Sequence, residues 1–185
     1  YNVLRLSADV KYRIPLFENA TFAGLIAYGR GLGGRLDSTD FAFGPPLSRL
    51  GASPSFNRLN LKGRLDVGLP ENFIFSAIGR MQTSFGRPLM LPENFLLDGP
   101  EAVSGYASGT LNVDRGVTAR AELSRPVNLA LLGYNHLVSP YVFGAWGSGV
   151  REERSPGFFR HIWAETFGGG VRTDTNFTGT PFGES

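Results

Sequence analysis

The chain holds few residues of the types that make or break bonds, and their spacing argues against such chemistry. Its two histidines, His136 and His161, stand far apart, and there is no cysteine. Neither metal-ligand spacing nor a thiolate site follows from them. Ser104 sits in Val103-Ser104-Gly105, without the G-x-S-x-G turn that exposes a hydrolase nucleophile. Gly29, Gly31 and Gly34 satisfy G-x-G-x-x-G. The chain then runs into Asp37-Ser38-Thr39-Asp40 and Gly44-Pro45-Pro46 rather than an amphipathic helix, so the dinucleotide reading gives way to a glycine-bearing strand. Glu71, Glu93 and Glu101 fall in turns or loops, where solvated carboxylates are the ordinary case. The expectation is no catalytic residue, no metal ligand set and no cofactor. What remains is charge in a pattern. Arg5, Lys11, Arg13, Lys62, Arg64, Arg80 and Arg120 each occupy the polar phase of an alternating run, which gathers them on one basic wall.

Such a wall needs strands. In the first, Leu4, Leu6, Ala8, Val10, Tyr12 and Ile14 share one face, and Arg5, Ser7, Asp9, Lys11 and Arg13 the other. A strand of about twelve residues is long against a usual length of about 5–6. Tilted near 45°, it rises roughly 28 Å, close to the thickness of a bilayer core. Further strands are expected over about Thr21 to Leu36, Leu59 to Leu69, Phe73 to Phe85, Gly116 to Val127, Val138 to Val150 and Arg160 to Thr173. Pro70-Glu71-Asn72 reads as a tight turn. Asp37 to Phe56 and the stretch after Phe85 read as long loops, Asn128 to Leu137 as a moderate turn and Arg151 to Phe159 as a polar loop. Short and long connections alternate, as they do in a membrane barrel. No repeat with the period of a propeller or solenoid is present.

The chain has 185 residues, 25 of them glycine, with 42% hydrophobic and 12% aromatic content. Those values fit one all-β domain. The formal net charge of +2 is too small a field to point to nucleic acid. No apolar run reaches the roughly 18 residues of a transmembrane helix, which says nothing against strands whose lipid-facing and lumen-facing residues alternate. About seven strands of this length close no pore-sized barrel, and open edges in lipid are costly, so the chain reads as part of a larger barrel.

The most specific stretch lies between Pro92 and Pro126. It contains Leu97-Asp98-Gly99-Pro100, Val103-Ser104-Gly105-Tyr106, Asp114-Arg115-Gly116, then Arg120, Glu122-Leu123 and Pro126. In order and spacing it resembles the motif region of the two-partner secretion transporters, the haemolysin secretion/activation proteins of Gram-negative outer membranes. A second motif of that family matches Pro140-Tyr141-Val142-Phe143-Gly144-Ala145-Trp146-Gly147. Two positions depart from the pattern: Ser104 replaces the family arginine and Ala145 the family aspartate.

The resemblance implies an antiparallel up-and-down transmembrane β-barrel. The chain would supply about seven of its roughly sixteen strands as one partial barrel domain over 1–185, with a lumen loop at about 87–115. It implies POTRA domains upstream, outer-membrane lipid around the barrel and a secreted polypeptide as substrate. Gly99, Val103, Ser104, Gly105, Tyr106, Asp114 and Gly116 would belong to the loop motif, and Arg120, Glu122, Phe143, Ala145 and Gly147 to the wall. In the family the loop arginine pairs with the wall aspartate. Losing both partners of a buried pair can be nearly neutral where losing one is not, so Ser104 and Ala145 are expected to face one another. Rival readings are a barrel-assembly protein of the BamA type, a soluble β-sandwich binding module and an enzymatic barrel such as an outer-membrane phospholipase. The last lacks a recognisable Ser/His pairing in the sequence.

Overall fold

The computed structural model describes residues 2–15, 19–33, 52–131, 134–152 and 159–177. Ten strands follow in chain order: β1 (Val3–Ile14), β2 (Ala20–Gly31), β3 (Asn57–Gly68), β4 (Ile74–Thr83), β5 (Phe95–Leu96), β6 (Asn112–Val113), β7 (Arg115–Ser124), β8 (Val127–Leu131), β9 (Tyr134–Glu152) and β10 (Phe159–Phe177). All but β5 and β6 belong to one antiparallel sheet, ordered β1-β2-β3-β4-β7-β9-β10, with β8 also on β9. The sheet curls as a half-barrel, and no α-helix occurs among the described residues. The all-β, up-and-down barrel architecture is therefore the observed one. Most of the loop expected over Asp37 to Phe56, and most of that from Arg151 to Phe159, lie outside the described residues, while Arg151, Glu152 and Phe159 belong to strands.

Register fixes which side chains share a face, because directly paired residues in an antiparallel sheet point the same way. The pairs Asp9–Leu25, Leu25–Lys62, Lys62–Arg80, Arg80–Thr118 and Thr118–Gly147 trace one row across the sheet. Arg5, Lys11, Arg13, Arg64, Arg120 and Glu122 share that face by parity. The opposite face carries Leu4, Leu6, Val10, Tyr12, Leu61, Met81, Leu123, Val142, Trp146 and Phe167, many of them exposed. This largely apolar outer belt, broken by the exposed Glu165 beside Trp146 on β10, suits lipid rather than water.

A short connection joins β3 and β4 at one end of the sheet. At Pro70–Asn72 both Glu71 and Asn72 adopt positive φ, 59° and 61°, which reverses the chain between β3 and β4 in three residues. At the same end β7 does not stop where its alternation first breaks. Pro126 interrupts it for two residues, yet Ser124 pairs with Tyr141 and Val127 with Val138, so β8 resumes in unchanged register. The segment expected to be a turn over Asn128 to Leu137 is thus mostly strand. With β9 and β10 each 19 residues long, β8 forms a three-stranded extension beyond the end of β4.

Candidate functional site: the loop over the charged face

The segment between Thr83 and Arg115 folds back across the charged face of the sheet. Within it, β5 and β6 pair as a two-residue hairpin, and Phe95, Leu97 and Val113 form a small buried cluster with Leu111 and Ile162 against it. So little apolar area cannot fix a segment of this length alone. Polar groups do the rest.

Two aspartates act as backbone staples. Asp114, fully buried, accepts the amide of Leu89 at 2.7 Å and that of Glu152 at 2.7 Å. It ties the start of the loop to the end of β9. Asp98, 2% exposed, accepts the amides of Gly109 at 2.9 Å and Leu111 at 2.6 Å. It closes the tip of the loop on itself. A carboxylate accepting several backbone N–H groups makes charge-assisted bonds, roughly twice as strong as neutral ones.

Glu93 is the residue that sequence reasoning placed wrongly. It is 1% exposed rather than solvated. Its carboxylate lies 2.9 Å from Arg5 on β1 and 3.0 Å from Arg58 on β3. Its carbonyl accepts from Arg58 at 3.2 Å and from Gln82 on β4 at 3.0 Å. The usable signal was Arg58, whose charge continues the polar phase of Lys62 and Arg64. No local feature marks Glu93 itself.

Glu101, likewise expected to be solvated, bonds Lys62 at 2.6 Å. That hydrogen bond holds the Glu101 carboxyl below the usual carboxylate range. Partial burial opposes the shift, and the charges of Lys62, Arg80 and Arg64 assist it. Arg80 also covers the Phe95 ring at 5.1 Å. Arg64 pairs with Asp66 at 2.7 Å along its own strand. Lys11 and Arg13 lie exposed on β1, which has a neighbour on one side only.

The loop tip rests on β7, β9 and β10. Gly99 has φ +110°, a conformation that favours glycine. Val103, fully buried, forms an isolated parallel bridge with Asp98. It packs where a Cβ on Gly147 would meet it at 3.2 Å. A Cβ on Gly105 would come within 2.9 Å of the Thr166 hydroxyl, so the backbone here touches β10. Gly116 is similarly closed in by the carbonyl of Ser148. Tyr106 is exposed.

Ser104 and Ala145 relate through a third residue. The Ser104 hydroxyl accepts from Arg120 at 3.1 Å, and Ala145 is the direct cross-strand partner of Arg120. The cation near the tip therefore stands on the wall. Arg120 lies over the Phe143 ring at 3.7 Å and bonds Glu122 at 3.1 Å. Glu122 in turn is held by both terminal nitrogens of Arg172 on β10, and Arg172 covers Tyr141 at 4.0 Å.

One contact on the opposite face corrects the reading that no serine meets a histidine. Ser148 Oγ and His161 Nε2 are 3.2 Å apart. Among the described hydrogen bonds no carboxylate orients the other imidazole nitrogen, so the pair lacks the third member that acyl chemistry requires. No group of three or more metal-ligating side chains occurs among the described residues.

Comparison with curated proteins and with solved structures returned no match. The sequence model of the haemolysin secretion/activation protein family ShlB/FhaC/HecB matches residues 1–168. That span takes in β1 to β9, the whole loop and the Arg120–Glu122 wall. With the curled sheet and its apolar outer belt, the match identifies the chain as a member of this family of outer-membrane, β-barrel secretion proteins.

Proposed function

We propose that this chain forms part of an outer-membrane pore that passes an unfolded exoprotein without nucleotide, with the segment between β4 and β7 standing inside the lumen. The observation that carries this reading is how the segment is fastened. Its contacts reach β1, β3, β4, β7, β9 and β10, and most of them are ion pairs or hydrogen bonds rather than apolar packing. Contacts of this kind can be taken over one at a time by water or by polar groups of a passing peptide, each contributing about 1.5–3 kcal/mol where a charged group is involved. A dry core would not part so easily. Arg5, Lys11, Arg13, Lys62, Arg64 and Arg80 then line the lumen, and the family's POTRA domains stand upstream to receive the exoprotein.

The test is deletion of Gly99 to Asn112 in the full-length protein. The expected result is altered single-channel conductance in planar bilayers together with loss of exoprotein secretion. Unchanged conductance and unchanged secretion would place the segment outside the pore and overturn the reading. Secretion retained alongside defective insertion of other barrels would favour the assembly function of BamA-type relatives.

A further inference from the structure

Arg172 lies beyond the residues matched by the family model, yet it is the outer member of the chain of contacts that ends on the loop tip. We infer that the Arg120–Glu122–Arg172 cluster is a carboxylate-responsive latch, in which an acidic side chain of a passing polypeptide takes Arg172 from Glu122 and so releases Ser104.

The geometry runs as follows. Tyr141 and Phe143 are neighbours on β9, with ring centroids 6.2 Å apart. Glycines on β10 make room for them: a Cβ at Gly168 would lie 3.1 Å from the Phe143 ring, and one at Gly170 2.7 Å from the Tyr141 hydroxyl. The two rings form a platform that carries one guanidinium each. Glu122 lies between these two cations and neutralises only one of them.

The guanidinium groups differ in how far they can be reached. The Arg120 side chain is 8% exposed and the Glu122 side chain 13%, against 53% for Arg172. An incoming group therefore meets Arg172 first. The cavity beside it, about 240 Å³, is lined by Arg64, Arg120, Arg172, Glu101 and Glu122 among others. Arg64 is already paired with Asp66 and Glu101 with Lys62, so the imbalance lies in Arg120 and Arg172, which share the single charge of Glu122. A carboxylate suits a guanidinium edge better than a monodentate acceptor because both oxygens can be used at once.

Release follows from the shared acceptor. While Arg172 occupies Glu122 with two bonds, Arg120 has one bond to Glu122 and one to Ser104. Once Arg172 turns to another carboxylate, both Glu122 oxygens are open to Arg120. A bidentate pair there outcompetes a single bond to a neutral hydroxyl. Ser104 loses its partner, and the tip keeps the contacts of Val103 and Gly105 and the Glu101 bond to Lys62. Arg172 is in this sense a positioning residue that acts on the loop through two others.

This inference rests on the loop lying in the lumen, but its test needs no secretion. The readout is chymotrypsin cleavage after the exposed Tyr106 in the purified full-length barrel, with fragments identified by mass. Oligoglutamate is expected to speed this cleavage about two- to tenfold, the range of one net hydrogen bond, and oligoglutamine to leave it unchanged. Arg172→Gln should cleave at the faster rate with no peptide and should no longer respond to oligoglutamate. Arg172→Lys, which keeps the charge but not the fork, should fall between. Adding Ser104→Ala to Arg172→Gln should have no further effect. Heat-modifiability on gels confirms that each variant is folded. Equal cleavage with both peptides overturns the latch, as does an oligoglutamate response that survives in Arg172→Gln. Unchanged conductance and secretion after deletion of Gly99 to Asn112, with the peptide response intact in the full-length barrel, would count against the transport reading alone.

Discussion

Glu93 meets Arg58 at 3.0 Å across a separation of 35 residues in sequence, and both are largely shielded from water. Arg5 shares the same carboxylate from a much more exposed position, its side chain 61% accessible. Burial decides which of the two pairs matters. Glu93→Gln should destabilise the seated loop by about 2–4 kcal/mol, because it leaves the Arg58 guanidinium buried without its counter-charge. Arg5→Gln should cost under about 1 kcal/mol, as an exposed pair does. Urea titration of loop protection is the measurement. Equal losses for the two variants would contradict the assignment of Arg58 as the principal partner.

Asp114 holds two amides that belong to different parts of the chain. Asp114→Asn keeps one good acceptor and loses the charge on both bonds. Hydrogen bonds to charged groups contribute about 1.5–3 kcal/mol, so amide exchange at Leu89 and Glu152 should accelerate by at least about tenfold. The amides of Gly109 and Leu111, held by Asp98, should be unaffected. Exchange measured by mass spectrometry separates the two staples. Acceleration at all four amides would mean that the loop opens as one unit.

Gly147 and Gly144 lie three residues apart on β9 and face opposite ways. Gly147→Ala would put a methyl 3.2 Å from both Val103 and Thr118. It should displace the loop tip at a cost of about 1–3 kcal/mol. Nothing lies within 4 Å of the position a Cβ on Gly144 would take, so Gly144→Ala should change neither stability nor cleavage after Tyr106. A matched pair of thermal melts and protease time courses tests this. Equal behaviour of the two variants would show that the tip does not rest on Gly147.

The Lys62–Glu101 bond gives the loop a pH dependence of known sign. The Glu101 carboxyl is held below its ordinary value, chiefly by the hydrogen bond from Lys62. A group with a depressed folded value contributes stability above its unfolded value and loses it as pH falls through the folded one. The bond is thus complete above about pH 5 and weakens progressively at lower pH. A spin label placed at Ala107 should become more mobile over that acidic interval, and Glu101→Gln should lose that part of the transition. A transition of the same size in Glu101→Gln would assign it to other carboxylates.

Much of the sheet was legible because alternation is a local property. Leu4 to Ile14 announced both β1 and its lipid-facing side, and Val117 to Ser124 did the same for β7. The connection after β4 was legible by its length and its motif. Glu93 was not, because its two cations come from strands distant in sequence and only the folded, curled sheet brings them together. β8 was missed because Pro126 reads locally as the end of a strand, whereas the partner strand β9 holds the register through it. The wall cluster was half legible. Arg120 and Glu122 could be placed on one face, but Arg172 could not be joined to them before β10 had a register.

The proline that interrupts β7 and β8 also acts on what happens outside the finished sheet. The amide of Arg125 points to Pro140 on β9, so an amide at position 126 would point the other way, past Ile74, the first residue of β4. Proline has none to offer. At the step where β4 runs out and the extension loses a neighbour, the exposed border lacks its first donor. A nascent or foreign strand finds no purchase from which to zip along Asn128 and beyond. The protruding ribbon is thereby kept from recruiting unfolded chains along its open border.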